Sequence, residues 1–67
     1  MRYVAVVVGL SGKEFFLARD NSSITQQLTQ ARTFGSERPA GIAARAHIER
    51  QAPVVRKYMA FRVEPRP

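Results

Sequence analysis

The hydrophobic pattern of the first twenty residues predicts two β-strands joined by a tight turn. Residues 3–8 are apolar at every position and rich in β-branched side chains, which is typical of a central strand covered on both faces. Residues 9–13 contain two glycines that can adopt a positive φ, and residues 14–19 resume an apolar pattern. We therefore expect a β-hairpin with residues 14–19 as its second strand.

The next segment predicts a short, polar helix over residues 23–34. Ser23 and Gln26 have the spacing of a capping box, in which the serine oxygen accepts from the third helical amide and the glutamine reaches back. Apolar residues then recur on one face at i, i+4 and i+7: Ile24, Leu28 and Ala31. Gly35 can end this helix after Phe34.

A longer helix is predicted over residues 36–51. Ser36 is a suitable N-cap, Glu37 suits the positive end of the helix dipole, and Pro39 falls in the first turn, where its missing amide is harmless. A rotation of 100° per residue places five residues on the inward face: Ala40, Ala43, Ala44, His47 and Ile48. Because most of this face is alanine, the helix can pack closely against a sheet.

Apolar and polar residues alternate over residues 54–63 and predict the last strand. One face carries a predicted core set: Val55, Met59, Phe61 and Val63. The opposite face carries a basic and aromatic set: Arg56, Tyr58 and Arg62. Residues 64–67 contain two prolines and are predicted to be a disordered C-terminal tail.

The element order β-β-α-α-β predicts one compact α+β domain over residues 1–63. We expect a three-stranded antiparallel sheet in the order 2-1-3, with the main helix and the short helix packed on one face. That arrangement leaves the second face of the sheet uncovered, although the first strand is apolar on both of its faces. We therefore expect a homodimer, formed by face packing or by edge-strand pairing.

Composition excludes several classes of function. The 67 residues include one histidine, one aspartate and no cysteine, so the chain has no disulfide, no thiolate metal site and no nucleophilic triad. The apolar run over residues 3–10 is far shorter than the roughly 20 residues that a membrane span needs. We expect a cytoplasmic protein that is not an enzyme, takes no metal or cofactor and does not associate with membranes.

Charge points to binding. Eleven Lys and Arg residues against five acids give a net charge of +6, which favours acidic partners through long-range attraction. The predicted partner-binding set lies on the last strand, with one residue added from the first strand: Arg56, Tyr58, Arg62 and Arg2. A secondary basic patch is predicted near the helices: Arg32, Arg38 and Arg45. The alternative for the set on the last strand is an ordinary solvated surface.

Ala31 and Phe34 form an Ala-x-x-Phe step that is followed by Ser36 and the helical Ala40. This arrangement resembles small proteins encoded by phages and prophages, which include anti-CRISPR inhibitors, and the resemblance covers most of the chain. It implies a non-enzymatic inhibitor that binds an acidic protein surface of a host complex, such as a CRISPR effector. The alternative function is direct binding of nucleic acid, for which affinity would fall steeply with salt.

Overall fold

The computed structural model describes residues 1–20 and 23–66 and has an α+β architecture with one antiparallel sheet and one main helix, as predicted. The strands are β1 (Arg2–Val8), β2 (Glu14–Leu17), β3 (Ile24–Thr25) and β4 (Ala60–Arg66). The helices are α1 (Glu37–Glu49) and the single turn α2 (Pro53–Arg56), and a 3-10 turn covers Leu28–Gln30. The order of strands in the sheet is β3-β2-β1-β4.

The predicted hairpin is confirmed. β1 and β2 pair in antiparallel fashion, and the turn is closed by the Gly9 amide, which donates to the Lys13 carbonyl at 3.0 Å. Gly12 has a φ of 81°, a left-handed conformation that glycine adopts without steric cost. β2 ends at Leu17, two residues earlier than predicted.

The prediction of three strands in the order 2-1-3 is wrong, and so is the short helix over residues 23–34. The Asp20 carboxylate accepts hydrogen bonds from the Ser23 amide and hydroxyl, so the Ser23 side chain does not cap a helix. The next two residues then pair with β2 as the strand β3. A polar segment with few apolar contacts of its own gains more from extending the sheet than from forming an isolated helix.

Residues 31–34 are extended and lie between β1 and the end of β2. Ala31 forms a bridge with Ala18, and Phe34 forms one with Tyr3. The Phe34 amide donates to the Tyr3 carbonyl at 2.8 Å, and the Arg32 amide donates to the Leu17 carbonyl at 2.8 Å. This segment therefore supplies backbone hydrogen bonds to the part of β1 that extends past β2.

The main helix is confirmed close to its predicted position. α1 starts after Ser36, whose extended backbone marks the N-cap position, and ends two residues before Gln51. The alanine face packs on the sheet as predicted. The buried residues of this core come from four parts of the chain: Ala5 and Val7, Leu17, Phe34, and Ala40, Ala44 and Ile48.

The predicted boundaries of the last strand are wrong at both ends. Residues 54–59 are not a strand, because Pro53 starts the turn α2, where a proline at the first helical position loses no hydrogen bond. β4 starts at Ala60 and continues to Arg66, so residues 64–66 are paired with β1 and do not form the predicted tail. Pro65 is accommodated because β4 is an edge strand of the sheet. The prediction for Pro67 lies outside the described residues.

The second face of the sheet was expected to be uncovered, but along β1 it is buried within the single chain. Val4 and Val6 point away from α1, because strand side chains alternate and the core beneath the helix contains Ala5 and Val7. These two valines are nevertheless only 2% and 1% exposed within the single chain. The valine face is therefore not open and gives no reason to expect a dimer. Dimerisation stays a prediction. Among the described residues, no helix is long and apolar enough to cross a membrane.

Candidate functional site

The predicted partner-binding set is dispersed in the structure. Arg56 ends α2, and Tyr58 follows it in the turn that leads to β4. Arg62 lies on β4 and Arg2 at the start of β1, both on the sheet face that points away from α1. Because residues 54–59 are helix and turn, the alternation that would have aligned these side chains does not exist.

Arg62 is engaged by two carboxylates, and these three residues form what we call the Arg62 cluster. Its Nη1 and Nη2 atoms donate to the two oxygens of Glu14 at 2.8 and 2.7 Å, and its Nε donates to Glu64 at 2.7 Å. The hydrogen bond from Arg62 lowers the pKa of Glu14, and the two carboxylates raise the pKa of Arg62. A partner could use this guanidinium only by displacing both carboxylates.

A groove runs between α1 and the outer edge of β4, and we call it the α1–β4 groove. It consists of two adjoining clefts of about 510 and 400 Å³, which share Arg45 and Phe61 in their walls. Its apolar residues are Gly41, Ile42, Ile48, Met59, Ala60, Phe61 and Val63. Its charged residues are Arg38, Arg45 and Arg56, together with Glu37 and Glu49.

The sequence builds this groove through one glycine and one edge strand. A Cβ atom at Gly41 would lie 3.7 Å from Phe61 and 3.9 Å from Val63, so the missing side chain leaves the hollow between helix and strand. Ile42, on the outer side of the helix, is 61% exposed. Within the described residues, β4 has no strand on its outer side, so the groove lies beside an unpaired strand edge.

The groove combines residues that the sequence assigned to different surfaces. Arg56 comes from the predicted strand face, whereas Arg38 and Arg45 come from the secondary patch. The Arg56 side chain donates to the Glu49 carbonyl at 3.4 Å, which links α2 to the end of α1. Arg32 lies elsewhere, with its guanidinium 4.7 Å from the centre of the Phe34 ring.

Sequence analysis missed the apolar part of the groove. The available signal was Ile42, an apolar residue on the otherwise polar side of the predicted helix. Single exposed apolar residues are common on protein surfaces, so this signal becomes informative only when β4 is seen beside it. Phe61 and Met59 were predicted as core and are half-buried at the edge of the core.

His47 lies half-buried on α1, facing a small hollow that also contains Arg32 and Arg50. Loss of solvation lowers the pKa of His47, and the positive charge of Arg50 lowers it further. Within residues 1–20 and 23–66, no group of three or more His, Cys, Asp or Glu side chains is placed to hold a metal ion. The groove itself contains arginine, glutamate and apolar side chains, a composition suited to binding.

Comparison of the chain with protein-family models, curated proteins and solved structures found no match. The resemblance to phage and prophage proteins therefore stays a prediction.

Proposed function

We propose that this chain is a non-enzymatic binding protein that docks onto an acidic protein surface through the α1–β4 groove. One observation carries the proposal: an apolar groove, flanked by Arg38, Arg45 and Arg56, runs along a strand edge that has no partner in the described chain. The apolar surface, the arginines and the unpaired strand edge each favour contact with protein, and all three features occur in this groove.

The mode of binding follows from the edge strand. An extended segment of the partner adds to β4 through backbone hydrogen bonds, and its alternate side chains enter the groove beside Ile42 and Phe61. Carboxylates on the partner pair with Arg38 and Arg45, whose planar guanidinium groups can bind them with two hydrogen bonds. Pro65 has no amide hydrogen, so the edge available for pairing is restricted to residues 60–64.

Two glutamates favour protein over nucleic acid as the ligand of this groove. Glu37 and Glu49 lie among the arginines and would repel a continuous phosphate backbone. A protein segment can place carboxylates at the arginines and neutral or basic residues at the glutamates. The net charge of +6 would speed the encounter with an acidic partner.

The resemblance to phage and prophage proteins selects the partner to test first. We propose that the target is a host complex, such as a CRISPR effector, and that occupation of its acidic surface blocks the docking of another component. Inhibition of this kind needs no catalytic residue. It requires only that the groove binds the complex more tightly than the displaced component does.

A capture experiment with matched variants tests the proposal. The tagged chain is incubated with host lysate with and without nuclease, in parallel with Arg45→Glu and with Lys13→Glu, which changes the net charge equally at the hairpin turn. We expect wild type and Lys13→Glu to capture the same partner. This partner should stay bound after nuclease treatment. The purified partner should bind Arg45→Glu at least about tenfold more weakly, as expected for a desolvated arginine at an interface.

Two results would overturn this function. Loss of every captured species on nuclease treatment would favour direct nucleic-acid binding. Equal weakening by Arg45→Glu and Lys13→Glu would show that only net charge matters and that the groove has no specific role.

Gly41 offers a test that leaves charge unchanged. Gly41→Ala should stabilise the chain by about 0.5–1 kcal/mol, because a helix-interior glycine is replaced and the added methyl group has ordinary contacts. Gly41→Met places a longer side chain in the groove and should abolish capture of the partner. Circular dichroism with urea titration measures stability, and a folded Gly41→Met that still captures the partner would contradict the groove assignment.

The same strand edge supports the expected homodimer, in which two copies of β4 pair with each other. Light scattering over increasing concentration should then give twice the chain mass of 7.5 kDa. Addition of the partner should convert the dimer into a complex with one copy of the chain, because the second copy and the partner bind the same edge of β4. A monomer at every concentration would rule the dimer out and leave the groove proposal intact.

A further inference from the structure

A second cleft lies on the other face of the sheet, where β1 begins and β4 ends, and we call it the arginine cleft. Its volume is about 650 Å³, and it is lined by Met1, Arg2, Arg19, Thr33 and Arg66. The three arginines come from three separate parts of the chain. Among the described residues that line it there is no carboxylate.

Arg2 and Arg66 are directly opposite each other in the β1–β4 pairing. Such pairs have Cα atoms about 4.5–5.5 Å apart and side chains on the same face of the sheet, so two like charges there repel each other. In the described part of the chain, the ion pairs are those of Arg62, and neither of these arginines takes part in one. Within the described residues, the fold therefore holds two positive charges together with no ion-pair partner for either.

Neutral acceptors orient both guanidinium groups. Arg2 Nη1 donates to the Thr33 hydroxyl oxygen at 3.2 Å, and Arg66 Nη1 donates to the Leu28 carbonyl oxygen at 3.1 Å. Each hydrogen bond uses one of the five N–H groups of its arginine. The acceptors fix the side chains and leave both the charge and most of the donors available to a ligand.

Arg19 is followed in the chain by Asp20, the acidic residue closest to it in sequence. The Asp20 carboxylate accepts hydrogen bonds from the Ser23 amide and hydroxyl at 2.7–3.0 Å. Asp20 does not line the arginine cleft. The cleft is therefore positive along its lining even with this carboxylate nearby.

We propose that the arginine cleft binds a phosphate group. The tetrahedral oxygens of a phosphate can accept hydrogen bonds from two or three arginines at once, whereas the two oxygens of a carboxylate lie in one plane. Its negative charge would also remove the repulsion between Arg2 and Arg66. A volume of about 650 Å³ accommodates a diphosphate or nucleotide as well as one phosphate of a nucleic-acid strand.

This site is independent of the α1–β4 groove. The arginine cleft lies on the face of the sheet that points away from α1, and the two sites share no lining residue. Failure of phosphate binding would leave the protein-binding function unaffected. Loss of partner binding in groove variants would likewise leave the cleft unchanged.

Two calorimetric titrations at the same ionic strength test the proposal, one with pyrophosphate and one with a single-stranded DNA oligonucleotide. Arg2→Gln and Arg66→Gln should each weaken binding at least about tenfold, because each removes charge-assisted hydrogen bonds. Lys13→Gln removes the same charge elsewhere and should change affinity less than about twofold. Tighter binding of pyrophosphate would identify a free phosphate ligand, and tighter binding of DNA a backbone phosphate.

Backbone amide NMR shifts locate the bound probe. Pyrophosphate should shift Arg2, Thr33 and Arg66 and leave Ile42 in the α1–β4 groove unchanged. Equal weakening by Lys13→Gln, absence of binding by either probe, or an acidic peptide that binds the cleft as tightly as pyrophosphate would each overturn the phosphate assignment. Thermal unfolding of Arg66→Gln checks that it is folded, and we expect its stability to be close to that of wild type.

Discussion

Arg62 and Arg66 lie on the same strand and the same face of the sheet, four residues apart in sequence. Their electrostatic surroundings are nevertheless opposite. Arg62 is held between Glu14 and Glu64, whereas Arg66 faces another arginine, Arg2. The first serves the fold, and the second retains the charge needed to bind a ligand. Residue type and position on the same strand face do not distinguish them.

Strand register causes this difference. Arg62 is opposite Val6, and its guanidinium reaches across β1 to Glu14 on β2. Near Arg66, β2 has already ended, and the neighbouring segment presents Thr33 instead of an acid.

The largest effect is expected from truncation of the buried side chain that lies opposite Arg62 in the β1–β4 pairing. Val6→Ala should lower the free energy of unfolding by about 2 kcal/mol, because Val6 is almost completely buried. Val8→Ala, on the same face but half-buried, should cost less. Urea titration measures both, and equal losses for the two variants would contradict the expectation that the depth of burial sets the cost.

Charge reversal at the two arginines should have effects of opposite sign. Arg62→Glu places three carboxylates together and should lower the unfolding midpoint temperature. Arg66→Glu places a carboxylate opposite Arg2 and should leave stability unchanged or raise it by up to about 1 kcal/mol. Differential scanning calorimetry of the two variants decides this prediction. Equal destabilisation would mean that the register-based comparison is wrong.

Acid should weaken the Arg62 cluster selectively. The folded-state pKa of Glu14 lies below its ordinary value of 4.5, so this carboxylate contributes stability above pH 4.5 that is lost as the pH falls through the folded-state pKa. Glu14→Gln should have a shallower loss of stability below pH 4.5 than wild type. Urea titrations of the two proteins between pH 5 and pH 3 measure the difference, and equal slopes would contradict the prediction.

Protonation of His47 should have the smallest effect on stability, and it should act at a higher pH than protonation of Glu14. Its folded-state pKa lies below 6.5, so the unfolded chain binds more protons, and stability should decrease slightly as the pH falls below 6.5. His47→Gln should remove this decrease and leave the loss below pH 4.5 in place. A wild-type stability that is constant between pH 7 and pH 5 would contradict the prediction.

The parts of the fold that the sequence predicts well are those in which local and tertiary preferences agree. The hairpin has a fully apolar strand and a glycine with positive φ, and α1 has an N-cap position followed by an alanine face. In both cases the residues that favour the local conformation also form the core. The pattern in the sequence and the final packing therefore lead to the same structure.

The errors arose where a local pattern fits two structures. Ser23 can cap a helix, but its hydroxyl donates to the Asp20 carboxylate instead. Pro53 can end a helix or begin one, and here it begins α2 and removes residues 54–59 from the strand. Local spacing does not decide between these alternatives, because the choice depends on which strand edge or helix end lies nearby.

Neither of the two proposed binding sites could be assembled from the sequence. Arg45 and Arg56 meet in the α1–β4 groove because α2 folds back onto the end of α1. Arg2 and Arg66 meet because β4 continues past the predicted tail boundary. The residue types were recognised as binding residues, whereas their grouping required the register of β4.

The central position of β1 has a consequence for the order of folding. β1 can pair with β2 as soon as the hairpin exists, but its other edge pairs with β4, which is separated from it by most of the chain. Closing so long a loop costs conformational entropy before the new contacts compensate, and an isolated hairpin is only marginally stable. We therefore expect docking of β4 to be a late step. During synthesis on the ribosome, the valine-rich edge of β1 stays open to other chains until β4 emerges.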